Sequence, residues 1–173
     1  MKIDANVLLD YTDWERQKWK EWLAQHSEAL KTSVGPNGDN RFQTVGDLVK
    51  HIFSAETRYV DRLSDRSLAD TGGVQNDNLD ALFDFGQQSR EALTRFIQTF
   101  PAEQWDVMRE FDFFGNLLKA TPKKIITHVL LHEIRHWAQI ATLLRLNGLK
   151  VDFHDFLFSP VLGGEFRRQQ AKA

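Results

Sequence analysis

Apolar residues recur along this chain at helical rather than strand spacing. From about Asp4 to His26, Leu8, Tyr11, Trp19, Trp22 and Leu23 fall on one side of a helix. The stretch SVGPNGDN then breaks it with Gly, Pro, Asn and Asp. A second helix begins near Thr44, whose hydroxyl stands three residues before Asp47, an arrangement that favours a helix start. Val45, Leu48, Val49, Ile52, Tyr59 and Leu63 form its apolar stripe, and DTGGVQND follows as a loop. The third helix runs from about Asn78 to Thr99, with Leu79, Leu82, Phe83, Leu93, Phe96 and Ile97 apolar and Pro101 just beyond. The fourth has the clearest ends: Thr121 as cap, Pro122 at the first helical position, and Gly148 as the stop after about Asn147.

Two segments read less simply. Between Glu103 and Ala120, Phe111-Asp112-Phe113-Phe114 fits either a short strand or a folded-back loop. The tail VDFHDFLFSPVLGGEF is apolar enough to pack on the helices. No segment alternates strictly enough to demand a sheet. The expected fold is therefore all-α, a single antiparallel four-helix bundle occupying residues 1–173 as one domain.

Composition narrows the chemistry. The chain has no cysteine, which excludes a thiolate metal site, a cysteine nucleophile and any disulfide. A net charge of −2 gives no electrostatic reason to expect nucleic acid or an anionic membrane as partner. No apolar run approaches the ~20 residues that span a bilayer, and the N-terminus does not read as a signal peptide. The expectation is a cytoplasmic protein acting on a small molecule. Its five Trp and 13 Phe could serve a subunit interface as well as a core, so a homodimer is among the expected states.

Half of the six histidines stand in one stripe, His128, His132 and His136, within THVLLHEIRHWAQ. Four residues turn a helix by about 400°, so each imidazole lies nearly over the last, roughly 6 Å further along. Two at that spacing can hold one metal ion. Ligands in a bundle come from facing helices, and His51 on the second helix is the obvious further donor. Three neutral imidazoles leave metal positions open for reaction.

His132-Glu133-Ile134-Arg135-His136 also matches HExxH, in which zinc proteases use the Glu as general base. The extension with a glycine and a third histidine is missing after His136. A downstream Glu ligand could only be Glu165, which lies outside any predicted helix, and no substrate-binding strand is evident. Glu133, about 100° around the helix from His132, is expected to be solvated or paired within its helix.

One helical His in the first third, then His132-x-x-x-His136 followed three residues on by Gln139, resembles the DinB-like family of metal-binding four-helix bundles. The opening LLDYTDWERQKWKEWL resembles that family's first helix, and the likeness covers nearly the whole chain. The usual late pattern is His-x-x-x-His-Arg-Gly-Gln; here Trp137 and Ala138 replace the Arg and Gly. The resemblance implies His51, His132 and His136 as metal ligands, with zinc or nickel as the divalent ion. It makes His128, although on the stripe, more a neighbour of the ligands than a ligand. The family includes transferases that use low-molecular-weight thiols such as bacillithiol, mycothiol-dependent isomerases and members without known activity. The missing Arg leaves substrate identity open.

Other residues weigh on this reading. Glu56 lies on the buried stripe of the second helix, so it should have a partner. That partner is an Arg or Lys, or Glu56 supports a ligand or serves as base. Glu15, between Tyr11 and Trp19, is placed similarly. Gln139 and His128 are candidates to hydrogen-bond the ligands from behind or to pack beside them. His26 and His154 read as surface or loop histidines, and the charge runs ERQKWKEW and EFRRQQAKA as solvated surface. The expected function is divalent-metal-dependent chemistry on a small molecule, foremost thiol S-transfer with a low-molecular-weight thiol as cosubstrate. The alternatives are a metal- or partner-binding bundle without turnover, and a hydrolase using metal-bound water.

Overall fold

In a computed structural model, residues 4–35, 41–113, 115–152, 154–164 and 166 are described. Four helices account for most of the described residues: α1 Ala5–Gln25, α2 Val45–Leu63, α3 Leu79–Thr99 and α4 Pro122–Leu146. Each starts on the residue its side chain predicts. Asp4 accepts from the Asn6 amide at 3.0 Å, Asn78 from Ala81 at 3.1 Å and Thr121 from Lys124 at 3.2 Å. Thr44 and Asp47 close a reciprocal capping box at the head of α2. α4 stops at Gly148, which takes φ +79°; the Gly148 and Leu149 amides then return to the carbonyls of Arg145 and Leu144 at 3.0 Å each.

The segment 103–120 contains the strands whose sequence signal is equivocal. After a 3-10 turn at Ala102–Gln104, β1 Arg109–Phe113 pairs antiparallel with β2 Asn116–Ala120. The all-α expectation is corrected to four helices with this hairpin. Phe111 and Ala120 are buried from it into the helices, while Glu110 and Lys119 pair on the exposed face. Arg109 ties the hairpin to the end of α2 by donating to the Leu63 carbonyl at 2.9 Å.

α2 packs on both α3 and α4, and α1 packs on the same two helices. The apolar stripes meet in two clusters. One holds Trp19, Leu23, Val49, Phe53, Leu82 and Trp137; the other holds Val60, Leu63, Leu93, Ile126 and Leu130. On every helix the two clusters are separated by a buried charge: Arg16 on α1, Glu56 on α2, Arg90 on α3 and Glu133 on α4. Gly86 lets α3 come close at this level, since a Cβ there would meet the Phe53 ring at 2.7 Å. The Gly86 carbonyl accepts from Arg16 Nη1 at 3.1 Å.

The tail packs on α1, as its apolar content predicts. Val151 is buried, Phe156 meets the Tyr11 ring edge-on at 5.1 Å, and Tyr11 Oη donates to the His154 carbonyl at 2.6 Å. Glu165 and most of EFRRQQAKA lie outside the described residues. Among the described residues no helix is long and apolar enough to cross a membrane.

Candidate metal centre

α2 and α4 face each other at the level of the charged layer, and three imidazoles converge between them. His51 Nε2 stands 3.2 Å from His132 Nε2, and His136 Nε2 stands 3.0 Å from the same atom. All three rings are half-buried, and their ligand atoms lie within 4.8 Å of one another. The cause is helical spacing: His132 and His136 are one turn apart on α4, and His51 meets both rings, its centroid 5.0 and 4.9 Å from theirs.

The donor set fits a cation. A neutral imidazole nitrogen carries either one proton or one lone pair. His132 Nε2 therefore cannot satisfy both neighbours by hydrogen bonding, whereas one ion can accept three lone pairs. Nitrogens bound to a tetrahedral zinc at ~2.05 Å sit about 3.3 Å apart, close to the observed separations. The rings are also held neutral. Burial, then the other imidazoles, pushes His51 down to about 4 and His132 to about 3. Burial lowers His136 as well; Gln139 beside it partly offsets this without closing a hydrogen bond on the buried Nδ1. Three histidines at such a site could hold a divalent metal ion.

His128 lies one turn down, exposed, with Nε2 3.3 Å from Tyr59 Oη. Its ring approaches His132 at 5.6 Å but stays out of the converging set. Gln139 is exposed and lines a cavity beside His136.

Glu133 is not where a solvated or purely intrahelical residue would be. It is 1% exposed. Trp137 Nε1 does donate to it along α4 at 3.1 Å, but the dominant contacts cross the core. Arg16 donates through Nε at 2.5 Å and Nη2 at 2.8 Å, and Arg90 through Nη2 at 2.6 Å. Burial alone would raise its carboxyl; the two guanidiniums outweigh burial and hold it below the ordinary glutamate range. A carboxylate so paired has no lone pair to offer a metal-bound water, which removes the protease geometry that HExxH suggests.

Glu56 has the arginine partner that burial demands. Its Oε2 lies 2.9 Å from Arg16 and 3.3 Å from Arg90, and Oε1 accepts from Ser89 at 2.8 Å. Sequence reasoning missed Arg16 and Arg90. Within ERQKWKEW, Glu15 and Arg16 are buried rather than solvated. The available signal was that Arg16 precedes Trp19 by three residues on the apolar side of α1. Glu15 is 4% exposed with Oε2 unpartnered, and burial, followed by the charge on Glu133, pushes it up to about 9. His154 is likewise no surface residue. Its ring stacks on Trp19 at 4.4 Å with both nitrogens buried, and Trp19 stacks in turn on Trp137 at 5.3 Å. His26 is half-buried, stacked on Trp22 at 4.2 Å.

No curated protein matches the chain. The family comparison is decisive by its extent: a helical His facing a late His-x-x-x-His pair lies within residues 1–163, and the DinB family model matches that whole span, so the chain belongs to the DinB family.

Proposed function

We propose that this protein is a divalent-metal-dependent enzyme of small-molecule metabolism that activates a low-molecular-weight thiol for S-transfer. The observation that carries the reading is the convergence of His51, His132 and His136 on one point. A divalent ion held there, zinc or nickel, would supply Lewis acidity that lowers the pKa of a thiol. His51 would approach from α2, and His132 and His136 from α4, each through a neutral Nε2.

The surrounding residues favour a thiol over water as nucleophile. A thiol ionises near neutral pH and needs little more than a lowered pKa, whereas water also benefits from a base. Glu56 and Glu133, the buried carboxylates nearest in sequence to the histidines, are both occupied by arginines. Glu56 is therefore assigned as an anchor of the charged layer rather than a base. The chain has no cysteine, so the thiol arrives as a cosubstrate. Gln139 and His128 flank the ligands on α4. The helices form one antiparallel bundle domain, acting in the cytoplasm, as a homodimer or alone.

The test is elemental analysis of purified protein beside the variants His51→Ala, His132→Ala, His136→Ala and His128→Ala. The first three should lose most bound metal and His128→Ala should keep it. Full occupancy in His51→Ala would overturn the ligand set. Assays of thiol conjugation with several cellular thiols then read the activity.

A further inference from the structure

The tail is fastened to one face of α1, where Tyr11, Trp19 and Trp22 recur at helical spacing. Trp22 Nε1 donates to the Lys150 carbonyl at 3.2 Å, and Tyr11 Oη to that of His154 at 2.6 Å. Val151 and Ser159 are buried, and Phe156 meets Tyr11 edge-on. Between these fastenings the His154 ring lies flat on Trp19, 4.4 Å away and 10° from parallel. Both of its nitrogens are buried without a hydrogen-bond partner. A neutral imidazole leaves one N–H and one lone pair unpaired there; an imidazolium would leave two N–H groups and a full charge. Asp152 and Asp155 of the tail attract that charge, and Lys18 on α1 and Arg145 on α4 oppose it. Burial decides the balance and pushes His154 down to about 4. Two other titratable groups lie on this face. Tyr11 is raised, by burial first, and Glu15, near Glu133 and Asp155, is pushed up to about 9, so both are neutral where His154 titrates.

We propose that the tail is an acid-released strap: it lies on α1 while His154 is neutral and lifts off when that ring takes a proton, with the four helices left standing. Among the described tail residues from Lys150 onward, Val151 alone enters the buried apolar clusters, so the core does not depend on the strap. Linkage gives the size of the effect. A ring that titrates at about 4 when docked and about 6.5 when free favours release about tenfold for each pH unit lost between those values. The docked form is therefore fully favoured above the higher value and loses ground as pH falls. Release uncovers Trp19, whose other face stacks on Trp137 at 5.3 Å, one residue from His136. The inference does not depend on a bound metal or on the proposed activity.

The chain has no cysteine, so Leu157→Cys, at a position 83% exposed on the strap, takes a single nitroxide spin label. Its mobility is followed by electron paramagnetic resonance from about pH 7.5 to about pH 4.5, beside the helical circular dichroism. The ratio of mobile to immobile label should rise on acidification, approaching tenfold per pH unit, while the helical signal holds. In the same labelled background His154→Phe keeps a ring on Trp19 without a titratable group. It should leave the label immobile across the whole range. A label that stays immobile to about pH 4.5 overturns the proposal. So does acid release that persists in His154→Phe, which would place the switch on another group. A strap that comes free only as the helices melt overturns it too, because the tail would then be part of the core.

Discussion

Arg16 Nε donates to Glu133 Oε1 at 2.5 Å, joining α1 to α4 one residue from His132. The contact belongs to a four-residue layer, Arg16, Glu56, Arg90 and Glu133, with one member from each helix. Two positive and two negative charges cancel within it, as a buried layer requires. Because Glu133 and His132 are adjacent, fixing the carboxylate toward α1 and α3 turns His132 and His136 toward α2. The layer is thus a rotational anchor for the metal centre.

Glu133→Gln should therefore act through stability. It leaves two buried guanidiniums to share the Glu56 carboxylate, a loss of about 3–5 kcal/mol, which for a chain of this length lowers the melting temperature by roughly 10 °C. Thermal unfolding followed by circular dichroism reads it. A variant that melts like the parent and yet loses all turnover with metal retained would restore Glu133 as a catalytic base.

The helices were legible because their end signals are local. Asp4, Thr44, Asn78 and Thr121 each cap the helix that follows them, and Gly148 ends the last. The His51, His132 and His136 cluster was foreshadowed by spacing and resemblance, since four residues on α4 fix a ring pair wherever the helix goes. The charged layer was not legible. Arg16 and Glu133 are 117 residues apart, and a buried charge looks like a solvated one until its partner is known. The hairpin was obscured for a related reason: among its described side chains only Phe111 and Ala120 are buried, too few to mark a period.

Removing metal should leave the fold in place. Both apolar clusters and the charged layer are assembled without any of the three histidines. Chelator should leave the helical circular dichroism nearly unchanged and lower the melting temperature modestly, by loss of ligand linkage. Complete unfolding on chelation would make the centre structural and weaken the enzymatic reading.

The acid limb of metal binding should be displaced. An ordinary imidazole begins to protonate near pH 6.5, but His51 is held to about 4 and His132 to about 3. Protons compete with a metal only when they bind the ligand, and His136 is lowered as well, so affinity should begin to fall at a lower pH than it would with ordinary imidazoles. The sign for folding is the same. A depressed histidine favours the native state above its unfolded pKa, and that contribution is lost as pH falls from about 6.5 toward 3–4. Competition titrations with a chromogenic chelator across pH would check this. A steep loss beginning at pH 7 would mean that the rings are not held neutral by the fold.

Glu15 should give the opposite pH signature. Its carboxyl is raised to about 9 by burial first and by the charge of Glu133 second, so the native state carries it as the neutral acid. The unfolded chain ionises it near the ordinary glutamate value. Native stability from this group is therefore complete below about pH 4.5 and falls away as pH rises through about 9. Glu15→Gln keeps a neutral side chain of the same shape at every pH. The substitution should be nearly silent at pH 4.5. It should raise the melting temperature by at least ~3 °C at pH 8, where the parent is penalised by about 1 kcal/mol or more. Melting curves of the two proteins across that range measure the difference directly. Curves that stay parallel from pH 4.5 to 8 would show that Glu15 is ionised in the native state and has found a cationic partner.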